Sequence, residues 1–270
     1  MIPQLNNLSG SAPKISLVVP CYNEEDGLRN MVYRLLETMH INQVPVEIVL
    51  VNNGSLDGTG AEIDALLQEG YPIRKVTVEV NQGYGYGVLR GLEGCRGEYV
   101  GFLCADDQVD AVDIARLCRM AMRSPSRRLY KVCRRFRMES MTRRIVSSIY
   151  NLLVNILFGN LHSFDLNGNP KLFPRASYEV MKLQSKDWFL DAEVMIKAMR
   201  LQLPVFELNV FSQMRAEGTS NVKTSTCLEF LKNLAYYRWG QGKHLLDIRS
   251  SEAAAQKQGL KEVGSERNVS

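Results

Sequence analysis

Histidine and cysteine, the residues of most structural zinc sites, are scarce in this sequence of 270 residues. There are three histidines and six cysteines, and no two cysteines stand in a Cys-x-x-Cys spacing. This pattern excludes the usual structural zinc sites. Four of the cysteines lie in apolar or strand-like segments, which predicts reduced, buried thiols in a protein of the cytoplasm.

Long hydrophobic runs are also missing. No stretch reaches the roughly 18–20 apolar residues of a membrane span, and the first residues have no apolar core, so we expect no secretory signal. Any membrane contact is therefore expected to be peripheral. The composition predicts one folded domain at 14–240, between a polar, flexible arm at 1–13 and a polar, disordered tail at 241–270.

Apolar runs alternate regularly with amphipathic segments in the first half of the chain. The runs are nearly continuous, as in strands buried on both faces. This alternation predicts an α/β domain with a mostly parallel sheet flanked by helices. We expect strands at 15–20, 46–51, 73–80, 98–104, 127–135 and 204–211, and helices at 24–40, 59–68, 140–158, 175–182, 190–201 and 225–239, with a short one ending near residue 92.

Polar and aromatic residues follow three of the expected strands. In an open parallel sheet, ligands bind outside the carboxyl ends of the strands. The three segments, residues 20–24, 52–55 and 104–108, would bring an aromatic ring, amides and carboxylates to one crevice. Such groups suit a base, a ribose and a metal-bound diphosphate. Each segment alone could equally be an ordinary turn, because Asn-Gly and Asp-Asp are common turn formers.

Asp106 is the sharpest candidate for a ligand of Mg²⁺ or Mn²⁺, since such an ion needs one or two carboxylates besides phosphate oxygens. In an extended segment, Asp106 and Gln108 would face the same way and Asp107 would point elsewhere. Asp110 and Asp113 are better explained as helix-capping acids. The glycines of residues 81–87 do not fit the spacing of a nicotinamide-dinucleotide site.

Seven segments, in order, resemble glycosyltransferase family 2 within the GT-A fold, and in particular the polyprenyl-phosphate sugar synthases of the dolichol-phosphate mannose synthase type. The amino-terminal segments are VVPCYNEE, VNNGSLDGT, NQGYGYG and LCADDQ. The carboxy-terminal ones are DLNGNPKLF, FLDAEVMIKAMR and ELNVF followed by RAEGTS. The resemblance spans about residues 15–238.

The resemblance implies a role for specific residues. Asp106 and Gln108 would hold Mg²⁺ or Mn²⁺, and Asp106, Asp191 and Arg215 would be the catalytic residues. The remaining implied residues fall into two groups: Pro20, Tyr22, Glu24, Val51, Asn53, Cys104, Ala105 and Asp106 would bind the donor, and Arg134, Lys171 and Arg215 would bind phosphates of donor or acceptor.

The sequence departs from the family pattern at three positions. Asn53 stands where the family usually has Asp. Cys104 replaces the first Asp of the usual Asp-x-Asp, which removes a hard oxygen ligand. Asn221 stands where the mannose synthases often have Lys. These departures leave the strength of metal binding and the identity of the sugar open.

A strongly basic segment precedes an amphipathic helix in the second half. Nine basic residues and one acid lie between positions 123 and 144, and the apolar helix at 145–158 carries a narrow polar stripe. This arrangement is typical of an interfacial anchor on anionic lipid. A core or dimer helix behind a solvated basic face remains the alternative. Nucleic-acid binding is not favoured, since no aromatic stacking motif accompanies the cluster.

The shortage of histidine fits a phosphate acceptor. A hydroxyl acceptor needs a general base, whereas a lipid monophosphate is already an anionic nucleophile at neutral pH. We therefore expect an inverting transfer from a UDP- or GDP-sugar to a polyprenyl phosphate, by a cytoplasmic protein that binds the membrane peripherally. For a hydroxyl acceptor, Asp191 is the candidate base. A nucleotidyltransferase and a non-catalytic binding module are the other hypotheses, and a homo-oligomer remains possible.

Overall fold

The computed structural model describes residues 13–124, 127–137, 141–212 and 224–240, without the side chains of 136–144 and 224–230. Nearly all of the predicted arm and the whole predicted tail therefore lie outside the described residues. The elements are β1 (Ile15–Cys21), α1 (Glu25–Ile41), β2 (Val46–Asn53), α2 (Thr59–Gln68), β3 (Ile73–Val78), α3 (Tyr84–Leu92), β4 (Tyr99–Phe102), α4 (Ala111–Arg123), β5 (Leu129–Arg137), α5 (Met141–Phe158), β6 (Lys171–Pro174), α6 (Arg175–Met181), α7 (Leu190–Arg200), β7 (Val205–Ser212) and α8 (Thr224–Trp239).

One seven-stranded sheet joins all the strands in the order β3-β2-β1-β4-β6-β5-β7. Strands β1 to β4 run parallel, and β5 pairs in parallel with β7. Strand β6 is antiparallel to both β4 and β5 and joins the two parallel groups. The predicted α/β fold with a mostly parallel sheet flanked by helices is confirmed.

Both faces of the sheet are covered, which explains the continuous apolar runs. Alternate residues of β1 pack on opposite sides: Leu17 and Val19 face a core with α1, α2 and α4, whereas Val18 faces a second core with α3 and α7. Because β1, β2, β4, β5 and β7 point the same way, their carboxyl ends lie along one edge of the sheet. That edge carries the candidate site.

Within the described residues, no helix is both long and apolar enough to cross a membrane.

Candidate functional site

A cavity lies beside the carboxyl end of β4. Its lining includes four of the residues that sequence analysis singled out, Cys104, Asp106, Gln108 and Arg134. The loop between β4 and α4 supplies the first three, and β5 supplies Arg134. The Arg134 guanidinium and the Asp106 carboxylate therefore line one cavity because of the sheet topology and not because they are close in sequence.

The segment after β4 is a turn and not the extended chain that we expected. Asp107 adopts a left-handed conformation with φ of 49°, and the Asp106 carboxylate accepts a hydrogen bond from the Gln108 backbone N–H at 3.4 Å. Asp107 does point to a different partner, since it forms an ion pair with Arg34 of α1. Asp106 and Gln108 thus share the cavity because the chain turns between them.

Asp110 caps α4, as predicted, by accepting the Val112 backbone N–H at 2.8 Å. This cap fixes where the helix begins, three residues after the turn. It also places the positive end of the α4 dipole near the cavity, a position that favours a bound anion.

Cys104 is a neutral thiol in this site. Burial, with smaller contributions from the nearby carboxylates of Asp106 and Asp191, raises its pKa to about 12. The Asn169 side-chain amide lies 3.8 Å from Sγ and donates to it. A protonated sulfur is a poor ligand for a hard cation, so Cys104 does not replace the missing carboxylate.

The remaining residues can hold a metal ion only together with a bound diphosphate that supplies most of the oxygen ligands. No group of three His, Cys, Asp or Glu side chains that could hold a metal occurs in the described part of the chain. The cavity does offer the Asp106 carboxylate and the Gln108 side chain. One carboxylate is compatible with Mg²⁺ or Mn²⁺ when phosphate oxygens complete the shell, so these residues fit an ion that arrives with a diphosphate.

Lys171 and Asp191 lie behind the cavity wall and form a buried ion pair with each other. Both side chains are at most 3% exposed, and burial lowers the pKa of Lys171 to about 8. Lys171 also donates to the Asn169 side chain at 3.3 Å. Neither side chain faces open space, and Asn169, to which Lys171 donates, lines the cavity. A direct contact of Lys171 or Asp191 with a ligand stays a prediction.

At the ends of β1 and β2, the donor-site candidates divide into exposed and buried groups. Tyr22 is 37% exposed, Pro20 and Glu24 are half-buried, and Val51 is fully buried in the core beneath α3. Asn53 is also buried, and its amide donates to the Gly83 carbonyl at 3.1 Å. Its Oδ1 has no hydrogen-bond partner in the described structure. Val51 therefore presents no exposed surface to a nucleotide in the described structure.

The glycine-rich segment before α3 is a close-packing device. Gly83 has φ of 112°, and a Cβ on Gly83 or Gly85 would lie 2.3 Å from the Lys186 or Ser185 carbonyl. The Tyr86 backbone N–H donates to the Lys186 carbonyl at 2.9 Å. The glycines thus allow the 182–189 loop to pack directly on the start of α3.

This close approach creates an aromatic pair that sequence analysis missed. Tyr84 stacks on Trp188 with ring centroids 4.4 Å apart, and the Tyr84 hydroxyl lies 3.3 Å from the Asn169 amide, which donates to it. No local pattern signals these contacts, because Tyr84 and Asn169 are 85 positions apart.

A second, more open cavity adjoins the first and shares Arg134 with it. The Arg134 guanidinium is fixed by two hydrogen bonds to Asp165, at 2.8 and 3.0 Å. Bidentate pairing of this kind gives a rigid orientation. The other lining residues come from β5, α5, β7 and the loop before β6, and they include Arg135, Ser147, Ser148, Asn151 and Asn209.

Helix α5 presents different faces to this cavity and to solvent. Three residues of its predicted polar stripe, Ser147, Ser148 and Asn151, line the cavity. The fourth, Asn155, instead donates to the Asn151 carbonyl and accepts the Leu161 backbone N–H. Four apolar residues are 51–68% exposed: Ile145, Ile149, Leu152 and Ile156. Tyr150 and Val154 are buried and anchor the helix to the core. The candidate catalytic residue Arg215 lies outside the described residues.

The seven-stranded, mostly parallel sheet with helices on both faces and a cavity at the carboxyl ends of its strands defines an α/β fold of the GT-A type. The model of glycosyl transferase family 2 matches residues 16–177, more than half of the chain. The chain therefore belongs to glycosyl transferase family 2, as the motifs indicated, and is an enzyme of that class.

Curated relatives include several glycosyltransferases. An undecaprenyl-phosphate 4-deoxy-4-formamido-L-arabinose transferase of Aeromonas hydrophila is 29% identical over 89% of this chain and 72% of its own length. A dolichyl-phosphate beta-glucosyltransferase of Dictyostelium discoideum is 24% identical over 87% and 76%. YibD of Escherichia coli, an uncharacterised glycosyltransferase, is 31% identical over 43% of this chain. The chain spans only 32% of YibD and 41% of the corresponding arabinose transferase of Pseudomonas fluorescens.

The structure of glucosyl-3-phosphoglycerate synthase from Mycobacterium tuberculosis, solved with Mn²⁺, UDP and glucosyl-3-phosphoglycerate, superimposes with a TM-score of 0.64. It is 18% identical and covers 88% of this chain and 84% of that one. At this identity the likeness shows the GT-A fold alone.

Proposed function

We propose that this protein transfers a sugar, with inversion, from a UDP- or GDP-sugar to a polyprenyl phosphate at a membrane surface. The observation that carries the proposal is the pair of adjoining cavities with Arg134 in both linings. One cavity holds the carboxylate and amide suited to a metal-bound diphosphate. The other lies beneath an amphipathic helix whose apolar residues are exposed.

In this proposal the donor lies along the carboxyl edge of the sheet, with its diphosphate at the first cavity, near Asp106, Gln108 and the amino terminus of α4. That cavity, of about 40 Å³, has room for an ion. Asp106 and Gln108 would hold a divalent cation there, which would supply positive charge for the leaving diphosphate. Tyr22 and Glu24, at the carboxyl end of β1, flank the nucleoside. Two relatives support a transfer to a lipid phosphate, since one is an undecaprenyl-phosphate arabinose transferase and the other a dolichyl-phosphate glucosyltransferase.

The acceptor phosphate enters the second cavity. Arg134 and Arg135 supply positive charge there, and the hydroxyl and amide groups of Ser147, Ser148 and Asn151 supply polar contacts. The exposed apolar residues of α5 would then rest on the bilayer that holds the prenyl chain. Amphipathic helices bind interfaces in this way.

The chemistry requires positioning more than proton transfer. A phosphate oxygen attacks the anomeric carbon in line as the bond to the nucleotide diphosphate breaks, which inverts the configuration. The phosphate is already ionised near neutral pH, so no base is needed, and Asp191 remains paired with Lys171. Arg134, held by Asp165, orients the nucleophile and offsets charge repulsion between acceptor and donor.

In the same proposal, the protein is cytoplasmic and binds the membrane peripherally. Five cysteines in the described structure are free, four of them buried, as expected for a reducing compartment.

The membrane part is tested with the double variant Ile149→Glu/Leu152→Glu. Each side chain contributes on the order of 1.5–3 kcal/mol if fully buried in an apolar phase, so vesicle binding should fall at least tenfold. Transfer to a long-chain polyprenyl phosphate should fall more than transfer to a short, soluble prenyl phosphate. Binding is measured by co-sedimentation with phosphatidylglycerol vesicles, and transfer with a radiolabelled donor.

A matched control is Ile41→Glu/Val80→Glu, which makes the same change at two exposed apolar residues of the first half. It should leave both measurements unchanged. Equal loss in the two variants would contradict a role for α5. Transfer to a soluble sugar hydroxyl, with none to any prenyl phosphate, would instead establish the hydroxyl-acceptor alternative.

A further inference from the structure

Trp188 lies in the 182–189 loop, against the start of α3 at the carboxyl edge of the sheet. No part of the proposed transfer reaction uses it. We propose that its indole is the surface on which the sugar of the donor packs, and that it contributes to the choice of sugar. This role rests on the proposed function, since it needs a sugar attached to a diphosphate beside Asp106.

The first cavity is too small to hold the sugar. Its volume of about 40 Å³ is far below the roughly 300 Å³ or more of a typical ligand pocket. A diphosphate bound at Asp106 would therefore leave its sugar outside that cavity, along the carboxyl edge of the sheet. The surface next to the cavity has to supply the contacts with the sugar.

Tyr84 connects Trp188 to the wall of this cavity. Its hydroxyl accepts a hydrogen bond from the Asn169 amide at 3.3 Å, and Asn169 lines the cavity. Burial raises the pKa of Tyr84, and the negative charges of Asp191 and Asp106 raise it further, which places the hydroxyl near both carboxylates. The Tyr84 ring stacks on the indole, with centroids 4.4 Å apart and planes 11° from parallel. The indole is thus separated from the cavity wall by one stacked ring.

Trp188 keeps an open side in this arrangement. It is 37% exposed although Tyr84 covers one face of the indole, so the exposed surface lies on the other face and on the ring edge. An indole offers a large, flat, apolar surface with a single N–H donor. One face of a sugar ring carries mostly C–H groups, which pack on such a surface while the hydroxyl groups stay at its rim.

The chain on both sides of Trp188 is fixed. Asp187 accepts a hydrogen bond from the Asn233 amide of α8 at 2.8 Å. Phe189 is fully buried and stacks on Tyr237 with centroids 4.1 Å apart. Together with the stacking on Tyr84, these contacts hold the indole in place before a ligand binds, which reduces the entropic cost of binding.

A purely structural role, in which Trp188 only covers Tyr84, is the alternative. The two roles differ in what they predict for the sugar. Loss of a cover would affect every ligand of the site alike, whereas loss of a sugar-packing surface would affect only ligands that carry a sugar. The chain has only two tryptophans, Trp188 and Trp239, so fluorescence can be made to report on Trp188 alone.

The first experiment compares nucleotides with and without a sugar in the presence of Mn²⁺. The probes are UDP-glucose and GDP-mannose, with UDP and GDP as the sugar-free references, and binding is measured by calorimetry. Trp188→Ala should weaken binding of the sugar nucleotide by about three- to tenfold relative to its sugar-free reference, the range expected for one aromatic contact. Trp188→Phe, which keeps a flat ring, should recover part of this loss.

The matched control is Trp239→Ala, at a tryptophan of α8 that is 68% exposed. This change removes the same side chain far from the cavity lining, so it should leave all four affinities unchanged. Circular dichroism and the melting temperature show whether each variant keeps its fold.

The second experiment leaves Trp188 in place. In Trp239→Phe, Trp188 is the only tryptophan of the chain. Its emission should change when UDP-glucose or GDP-mannose binds and should change much less when UDP or GDP binds. This measurement provides the result if Trp188→Ala fails to fold.

The outcomes separate this role from the proposed function. Equal loss of affinity for sugar-linked and sugar-free nucleotides in Trp188→Ala, or an emission of Trp188 that responds equally to both, would overturn the role and leave the proposed donor intact. Failure of all four probes to bind the unmodified protein would contradict the proposed function and this role with it. A loss confined to one of the two sugar nucleotides would support the role and identify the sugar that packs on the indole.

Discussion

The two halves of the sheet are built on different principles. In the first half, up to residue 124, each strand is followed by a helix and pairs in parallel with the other strands of that half. In the second half, β6 is reversed, β5 and β7 pair across a long intervening segment, and helices α6 and α7 follow one another. The regular half provides the proposed donor edge, and the irregular half provides the proposed acceptor cavity.

The halves also differ in where they bury charge. The three fully buried lysines of the described structure, Lys131, Lys171 and Lys197, all lie in the second half. Their carboxylate partners are Glu207, Asp191 and Glu193. Removing one partner of a buried pair is costly because the other charge stays unpaired. The first half buries one such carboxylate, Glu47, beside Arg74 and Arg96, so buried ion pairs are more numerous in the second half.

Among the variants that compare the two halves, Lys171→Met is expected to have the largest effect, which is a loss of stability. This change leaves Asp191 buried without its cation, and we expect a loss of about 3–5 kcal/mol in the free energy of unfolding. The double variant Lys171→Met/Asp191→Leu should recover most of this loss. Urea denaturation measures both. A double variant as unstable as the single one would show that the pair contributes more than mutual neutralisation.

In the first half, we expect a substitution at the site to lower activity and to leave stability nearly unchanged. Asp106→Ala removes the carboxylate that faces the donor cavity, and we expect transfer to fall about 10²–10³-fold with little change in melting temperature. Metal-dependent donor binding should be lost as well. Asp113→Ala, in the same helix region but outside the cavity lining, is the control. Unchanged turnover and metal response in Asp106→Ala would remove Asp106 from the site.

The smallest effect is expected for Cys104→Asp. A second carboxylate would give the ion another oxygen ligand, so the Mn²⁺ concentration for half-maximal activity should fall several-fold. Cys104→Ser serves as the control, since it changes size little and adds no charge. A higher Mn²⁺ requirement in Cys104→Asp would show that the side chain at 104 faces away from the ion.

Sequence patterns predicted the elements well because their signals are local. The bounds of β1, α5, α7 and β7 differ from the expected ones by no more than two residues, since apolar periodicity and turn residues define them. Strand β6 was missed. It has four residues inside a segment rich in turn formers, and only its pairing with β4 and β5 makes it a strand.

The candidate site was predicted in part for the same reason. Cys104, Asp106 and Gln108 are close in sequence, and their shared cavity could be inferred from the strand end. The pairing of Lys171 with Asp191, the position of Asn169 against Tyr84 and the stacking of Trp188 depend on contacts between distant segments. The ion pair between Asp107 and Arg34 of α1 also joins segments that are distant in sequence. No spacing rule contains that information.

The late position of β6 in the sequence has a consequence for folding during synthesis. It fits so closely against β4 that a Cβ on Gly101 would lie 2.0 Å from the Lys171 carbonyl, yet the ribosome makes it about 70 residues later. At a synthesis rate of 5–20 residues per second, β6 is completed about 4–14 s after β4. An unpaired strand edge is open to other chains during that time. During this stage β1 to β4 have been synthesised, whereas β6, the strand that pairs with β4, has not.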